Sequence, residues 1–229
     1  MKKTWKKFAA LSLAAAMAVT AAGCSKSGQS AGTGGSTSAG GSSEAAGGSG
    51  EYKDTITWAQ GADVTSFDPH QGKETPAVEV TDQIFDTLTV VDAATGELKP
   101  QIAESWDQNS DTSYTFHIRK GVKFHDGSEL TAEDVKFSLD RAISSAAVSY
   151  IVDFIDKVDV ADDYTVNVEL KAPYAPTLRN LSVPFAAIVP KAVVEADEEG
   201  FKTHPVGSGP YKFTEWKQGD SVTLERFDD

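Results

Sequence analysis

The chain has 229 residues, 34 acidic against 21 basic side chains, a formal net charge of −13 and a single cysteine. An acid surplus of this size argues against nucleic acid or an anionic membrane face as partner, since both repel it. One cysteine excludes an intrachain disulfide, so an exported domain built from this chain must be held together by its core.

Lys2, Lys3, Lys6 and Lys7 precede an uncharged run from Phe8 to Gly23 that is rich in Ala, Leu, Met and Val. A membrane-spanning helix needs about 20 apolar residues. This run is shorter and is interrupted by Ser12 and Thr20, so residues 1–23 read as a signal peptide. It ends in Ala21-Ala22-Gly23-Cys24, which resembles the bacterial lipobox with Ala where Leu is usual. Cys24 would then become the N-terminus, carrying the acyl chains that anchor the protein to a membrane. An ordinary secretory site beside an incidental cysteine is the alternative. Residues 24–50 are almost wholly Gly, Ser, Ala and Thr after the cysteine and read as a random-coil linker. The first 50 residues hold five Lys and one Glu, which leaves −17 on residues 51–229.

Thr55 to Ala59 alternates and is expected to be a strand, running into a loop at 60–66 and a turn at Asp68-Pro69-His70. Thr75 is expected to cap a helix with Pro76 in its first turn, and Ala77, Val80, Ile84 and Leu88 to form its buried face. Thr89-Val90-Val91 reads as a short strand before a turn at 93–96. Tyr114, Phe116 and Ile118 alternate with Thr115, His117 and Arg119, predicting a half-buried strand entered from a turn at 109–111 and continued by Val122-Lys123-Phe124. Thr131-Ala132-Glu133-Asp134 is a capping-box variant at the head of a helix whose stripe is Val135, Leu139 and Ala142. Val158 and Val160 face Tyr164, Val166, Val168 and Leu170 across Asp162-Asp163, a hairpin signature. A short helix is expected over Lys191 to Ala196. Two strands, Tyr211 to Trp216 and Val222 to Phe227, flank the turn Gln218-Gly219-Asp220. Helices and strands are mixed throughout, which gives an α/β or α+β fold class.

No pattern here supplies enzyme chemistry. His70, His117, His125 and His204 are far apart and in no metal-ligand spacing, so no metal site or cofactor is expected. In Gly207-Ser208-Gly209 both glycines abut the serine, unlike the G-x-S-x-G elbow, and the segment reads as a sharp turn between lobes. The carboxylates are many but form no pair set against an apolar pocket, so no catalytic residue is assigned.

The block Ala103 to Arg141, AESWDQNSDTSYTFHIRKGVKFHDGSELTAEDVKFSLDR, resembles the signature region of the family 5 solute-binding proteins of ABC importers, which take oligopeptides, dipeptides or nickel. Ser66 to His70 (S-F-D-P-H), Pro173 to Ser182, Ile188 to Glu195 and Pro205 to Phe227 keep the family's order, with Ser208 where Thr is usual. Members are typically more than twice as long, and the chain is expected to be an N-terminal fragment.

The resemblance implies a type II periplasmic-binding-protein-like fold of two lobes. Residues 51–95 and 206–229 would belong to the first lobe, 96–205 would be an inserted domain, and the second lobe would follow Asp229. It implies an extracytoplasmic, lipid-anchored monomer that captures a peptide or peptide-like solute and passes it to membrane permease subunits. A nickel chelate, a sugar or an opine-like solute are alternatives on the same fold; a secreted hydrolase or adhesin lipoprotein is an alternative of another class. Within the first lobe, Ala62, Asp63, Val64 and Thr65 are the expected solute contacts, through backbone pairing with an extended peptide. Gly207 and Gly209 are expected at the hinge.

Overall fold

The structure is a computed structural model and describes residues 55–228. Cys24, the leader and the linker lie outside the described residues. No described helix is long and apolar enough to cross a membrane.

The chain lays down α1 (Thr75–Ile84), β1 (Thr89–Val91), β2 (Leu98–Pro100), β3 (Ala103–Ser110), β4 (Ser113–Ile118), α2 (Ala132–Ser144), α3 (Ser149–Val152), β5 (Ile155–Asp162) and β6 (Thr165–Leu170). There follow α4 (Thr177–Asn180), a 3-10 turn at Pro184–Ala186, α5 (Lys191–Ala196), α6 (Glu198–Phe201), β7 (Tyr211–Lys217) and β8 (Ser221–Arg226). β3, β4, β6 and β5 form one antiparallel sheet in that order, while β1–β2 and β7–β8 are separate antiparallel pairs.

The central strands β4 and β6 alternate buried and half-buried residues, placing Tyr114, Phe116 and Ile118 beside Val166, Val168 and Leu170 on one face. That face is covered by α2. The capping box forms, with Asp134 Oδ2 accepting from the Thr131 N–H at 2.9 Å, so that Val135, Leu139 and Ala142 point into the sheet. This is the first core, and it also takes Phe124, Leu130, Phe154 and Ile188. A second core gathers Val64, Phe67, Ala77, Val80, Ile84, Phe85, Ala187, Val189, Val194 and Phe201. Phe213, Trp216, Val222 and Leu224 of the β7–β8 hairpin pack on it half-buried. Residues 187–189 serve both cores by extended-chain alternation, Ile188 turning one way and Ala187 and Val189 the other.

Several expectations are corrected. Thr55 to Ala59 forms no ladder, and Ile56 and Trp58 remain 76% and 51% exposed. Alternation marks strand potential, but a strand needs a partner, and no described strand pairs with it. Helix α1 begins one residue earlier than read, with Glu74 at the N-cap and Thr75 already helical. It ends at Ile84 because Phe85 is extended, so Leu88 leaves the helical stripe and enters the first core instead. Val122 to Phe124 contributes one isolated bridge, Lys123 to Glu129, because Gly121 turns the chain at φ +76° just after β4. The strand β3, where a turn at 109–111 was expected, runs through Ser110. Its outward, mostly exposed residues carry no apolar alternation that would announce it.

Candidate solute-binding and hinge elements

The loop 61–65 enters the molecule between the end of the 55–60 segment and the buried turn at 66–72. Val64 is 3% exposed and belongs to the second core, so its side chain anchors the loop. Ala62 and Thr65 are exposed, with Thr65 Oγ1 donating to Glu74 Oε2 at 3.3 Å. Asp63 reaches across the chain. Its Oδ2 accepts from the Gly219 N–H at 2.6 Å, and its Oδ1 accepts from Val64 N–H at 2.9 Å and Trp216 Nε1 at 3.3 Å. These bonds, the one from Gly219 foremost, hold the Asp63 carboxyl below the usual carboxylate range. Gly219 itself sits at φ +75°, a left-handed turn that presents its N–H to the carboxylate at no Cβ cost. The loop is therefore fixed by the β7–β8 hairpin. Neither Trp216 nor Gly219 was legible as a partner, being 153 and 156 residues away.

Phe67 explains the rest of this arrangement. Its ring lies 5.2 Å from that of Phe213 and 5.1 Å from that of Trp216, and its N–H donates to the Lys202 carbonyl at 2.9 Å. The hairpin packs on the buried turn and carries the loop with it.

Gly207 and Gly209 press on the C-terminal end of α1. The Gly209 N–H donates to the Ile84 carbonyl at 2.8 Å, and a Cβ on Gly207 would stand 2.1 Å from that same oxygen. Only glycine allows this approach. From the other side, the His125 N–H donates to the Gly207 carbonyl at 2.8 Å, and Nε2 of its ring lies 2.9 Å from the Gly209 carbonyl. The Gly207 N–H donates to Nδ1 at 3.3 Å, which assigns the neutral Nε2–H tautomer. Burial keeps this imidazole below its usual pKa, consistent with a neutral ring.

Between the cores lies a polar cluster. Asp68 is wholly buried and receives a fork from Arg141 of α2, Nη1 to Oδ1 at 2.8 Å and Nη2 to Oδ2 at 2.6 Å. Arg141 Nη1 also donates to His70 Nδ1 at 3.0 Å, and His70 Nε2 donates to the Ala187 carbonyl at 3.0 Å. Burial first, then the Arg141 charge, lowers His70 to about 4. Ser145 Oγ donates to the His70 carbonyl at 2.6 Å, and Glu198 accepts from Arg141 at the solvent edge. Every buried polar side-chain atom among the described residues has a partner. His70, which the sequence placed at a turn, is thus a structural histidine that joins the 66–72 turn to α2 and to residue 187. His117 does lie on the outer face, 3.0 Å from Asp107.

Residues 97–229 match the family model described as bacterial extracellular solute-binding proteins, family 5 Middle. A glutathione-binding protein, GsiB, of Pectobacterium atrosepticum is 38% identical over 181 residues, covering 76% of this chain and 34% of that protein. The periplasmic binding protein DppA of Helicobacter pylori, solved with the peptide STSA, superimposes with TM-score 0.66 at 34% identity over 74% of this chain and 38% of that one. NikZ of Campylobacter jejuni, solved with Ni(L-His), gives TM-score 0.64 at 29% identity over 71% of this chain and 33% of that one. The chain spans about a third of the length of the curated relatives it matches.

Proposed function

Since the chain belongs to the family 5 bacterial extracellular solute-binding proteins, we propose that it forms part of an ABC-importer receptor that captures a peptide-like solute outside the cytoplasm. The family's members bind solutes and are not enzymes. The observation that carries the peptide reading is the 38% identity to a protein named for binding glutathione, itself a peptide. The likeness to a binding protein solved with a tetrapeptide agrees with it.

In this reading the second core, with the loop 61–65 and the β7–β8 hairpin, is the first lobe, and the core built on β4, β6 and α2 is the inserted domain. Residues 187–204 then go with the lobe, since Val194 and Phe201 pack with Phe67. Ala62 and Thr65 and the loop backbone meet the solute, while Asp63 and Val64 hold the loop in place. Gly207 and Gly209 form the crossing between lobe and inserted domain. The acylated Cys24 tethers the receptor, and the linker keeps it at raised effective concentration near the permease subunits. Radiolabelled palmitate should be incorporated by the wild type and not by Cys24→Ala.

The ligand is tested by calorimetric titration of the protein carrying this chain with STSA, glutathione and Ni(L-His) in turn. Heat from either peptide, without heat from the nickel complex, is expected. Heat from Ni(L-His) alone would replace the peptide reading with the chelate one.

A further inference from the structure

A cavity of about 330 Å³ opens where the end of α1, the β4–α2 connection and the Gly207–Gly209 turn meet, and none of the loop residues 61–65 lines it. Its floor is the half-buried Asp86, and Gln101 and Ser208 stand beside it. Gln101 Nε2 donates to Asp86 Oδ1 at 2.6 Å and Ser208 Oγ donates to Oδ2 at 3.2 Å, both neutral groups. Its rim carries Arg119, Lys120 and Lys123.

The two ends of this cavity want opposite charges. Asp86 has no cationic partner among the described residues, and it stands just past Phe85, the C-cap of α1, at the helix end where the dipole is negative. Burial pushes its carboxyl up to about 6 in spite of the two hydrogen bonds, and the charge of Asp82 works in the same direction. A cation placed on it would relieve that penalty. The rim is the reverse. Arg119 is bonded through Nε to the Gln101 carbonyl at 3.3 Å, Lys120 lies 5.2 Å from the centre of the Tyr164 ring, and neither has a carboxylate partner among the described residues. Lys123 has only a long pairing with Glu129, at 3.6 Å.

A simple anion would meet the rim but be repelled by the floor, and a simple cation the converse. The volume lies near the lower bound of small-molecule sites, roughly 300–1,000 Å³. It suits a single residue better than a peptide.

We infer that this cavity is a second ligand site, separate from the solute loop, which takes a free α-amino acid as its zwitterion. The ammonium group sits on Asp86 and the carboxylate lies under Arg119, Lys120 and Lys123. Because Ser208 belongs to both the cavity and the glycine turn, an occupant contacts the crossing between the two cores.

The test is a heteronuclear NMR titration of the protein with L-alanine, acetate and methylammonium. Alanine is expected to shift the amides of Asp86, Gly121 and Ser208 at concentrations several-fold below those needed for either half-ligand. Asp86→Asn and, independently, Arg119→Gln should each weaken it several-fold. Arg119 is exposed, so its variant keeps the test open should the Asp86 variant not fold. Acetate acting as well as alanine would reduce the site to an anion patch and overturn the inference. Unmoved amides with alanine, or alanine binding unchanged in Arg119→Gln, would do the same.

Discussion

The two cores are built by opposite strategies. The core under β4 and β6 is assembled from strands and helices that lie within a continuous stretch, and its large side chains, Phe116, Phe124, Leu130, Leu139 and Ile155, are at most 1% exposed. The core around Phe67 is gathered from four separated segments, near residues 64–67, 77–85, 187–201 and 213–224, and its outer wall of Phe213, Trp216, Val222 and Leu224 is only partly buried. The first closes over short loops and seals itself. The second depends on long-range contacts, whose loop-closure entropy is met late in folding. The polar cluster of Asp68, Arg141 and His70 joins the two, so the dependent core is bolted to the self-sufficient one. The candidate solute loop hangs on the dependent core.

The bolt offers the largest test of this contrast. Arg141→Met would leave Asp68 buried with its charge uncompensated, and losing one partner of a buried pair costs about 3–5 kcal/mol. Urea unfolding should show that loss, with exchange of the Phe67 and Val80 amides rising before that of Phe116 and Val166. A uniform rise would mean that the two cores unfold as one. The histidine in the cluster gives a pH signature of similar sign. Its folded pKa, about 4, lies below the ordinary 6.5. The stabilising contribution of neutral His70 is therefore complete above pH 6.5 and lost as pH falls from 6.5 towards 4. At 1.36 kcal/mol per unit this amounts to roughly 3 kcal/mol, which His70→Gln should remove from the pH profile. A stability profile that is flat over that window in the wild type would contradict the assignment.

At the crossing, Gly207→Ala should cost about 1–3 kcal/mol, the usual range for forced overpacking, since its Cβ would stand 2.1 Å from the Ile84 carbonyl oxygen. Gly61→Ala, with nothing within 4 Å, should stay within about 0.5 kcal/mol. Equal effects at the two positions would remove the case for a close approach at the turn.

The same contrast governs what could be read from the residues alone. β4, β6 and α2 were legible because each shows one face to one core, and a period of 2 or 3.6 records that directly. The capping box at Thr131 and the hairpin turns at 162–163 and 218–220 were legible because their chemistry is local. β3 was not, because an exposed strand has no apolar alternation to leave. The segment 55–59 looked like a strand because its composition suits one, although pairing is a property of neighbours. In the candidate site, the loop and the glycine turn could be located, but their supports could not. Asp68 and Arg141 lie 73 residues apart, and nothing local marks them as a pair. His125 likewise carries no local signal of the two glycines that its ring bridges.

The smallest expected effect on stability, and the most informative about the solute loop, is that of Asp63→Asn. The carboxylate is exposed, and the amide retains one oxygen that can still accept from Gly219 or Trp216, so the unfolding midpoint should scarcely move. What changes is the hold on the loop. Asn cannot present two acceptors, so one of the contacts to Val64, Trp216 and Gly219 is replaced by an unfavourable donor–donor approach. The loop should sample more positions, which appears as faster amide exchange at Val64 and Gly219 and a several-fold weaker affinity for a peptide ligand. Faster exchange with unchanged affinity would separate the loop from the solute and move the search for contacts elsewhere on the lobe.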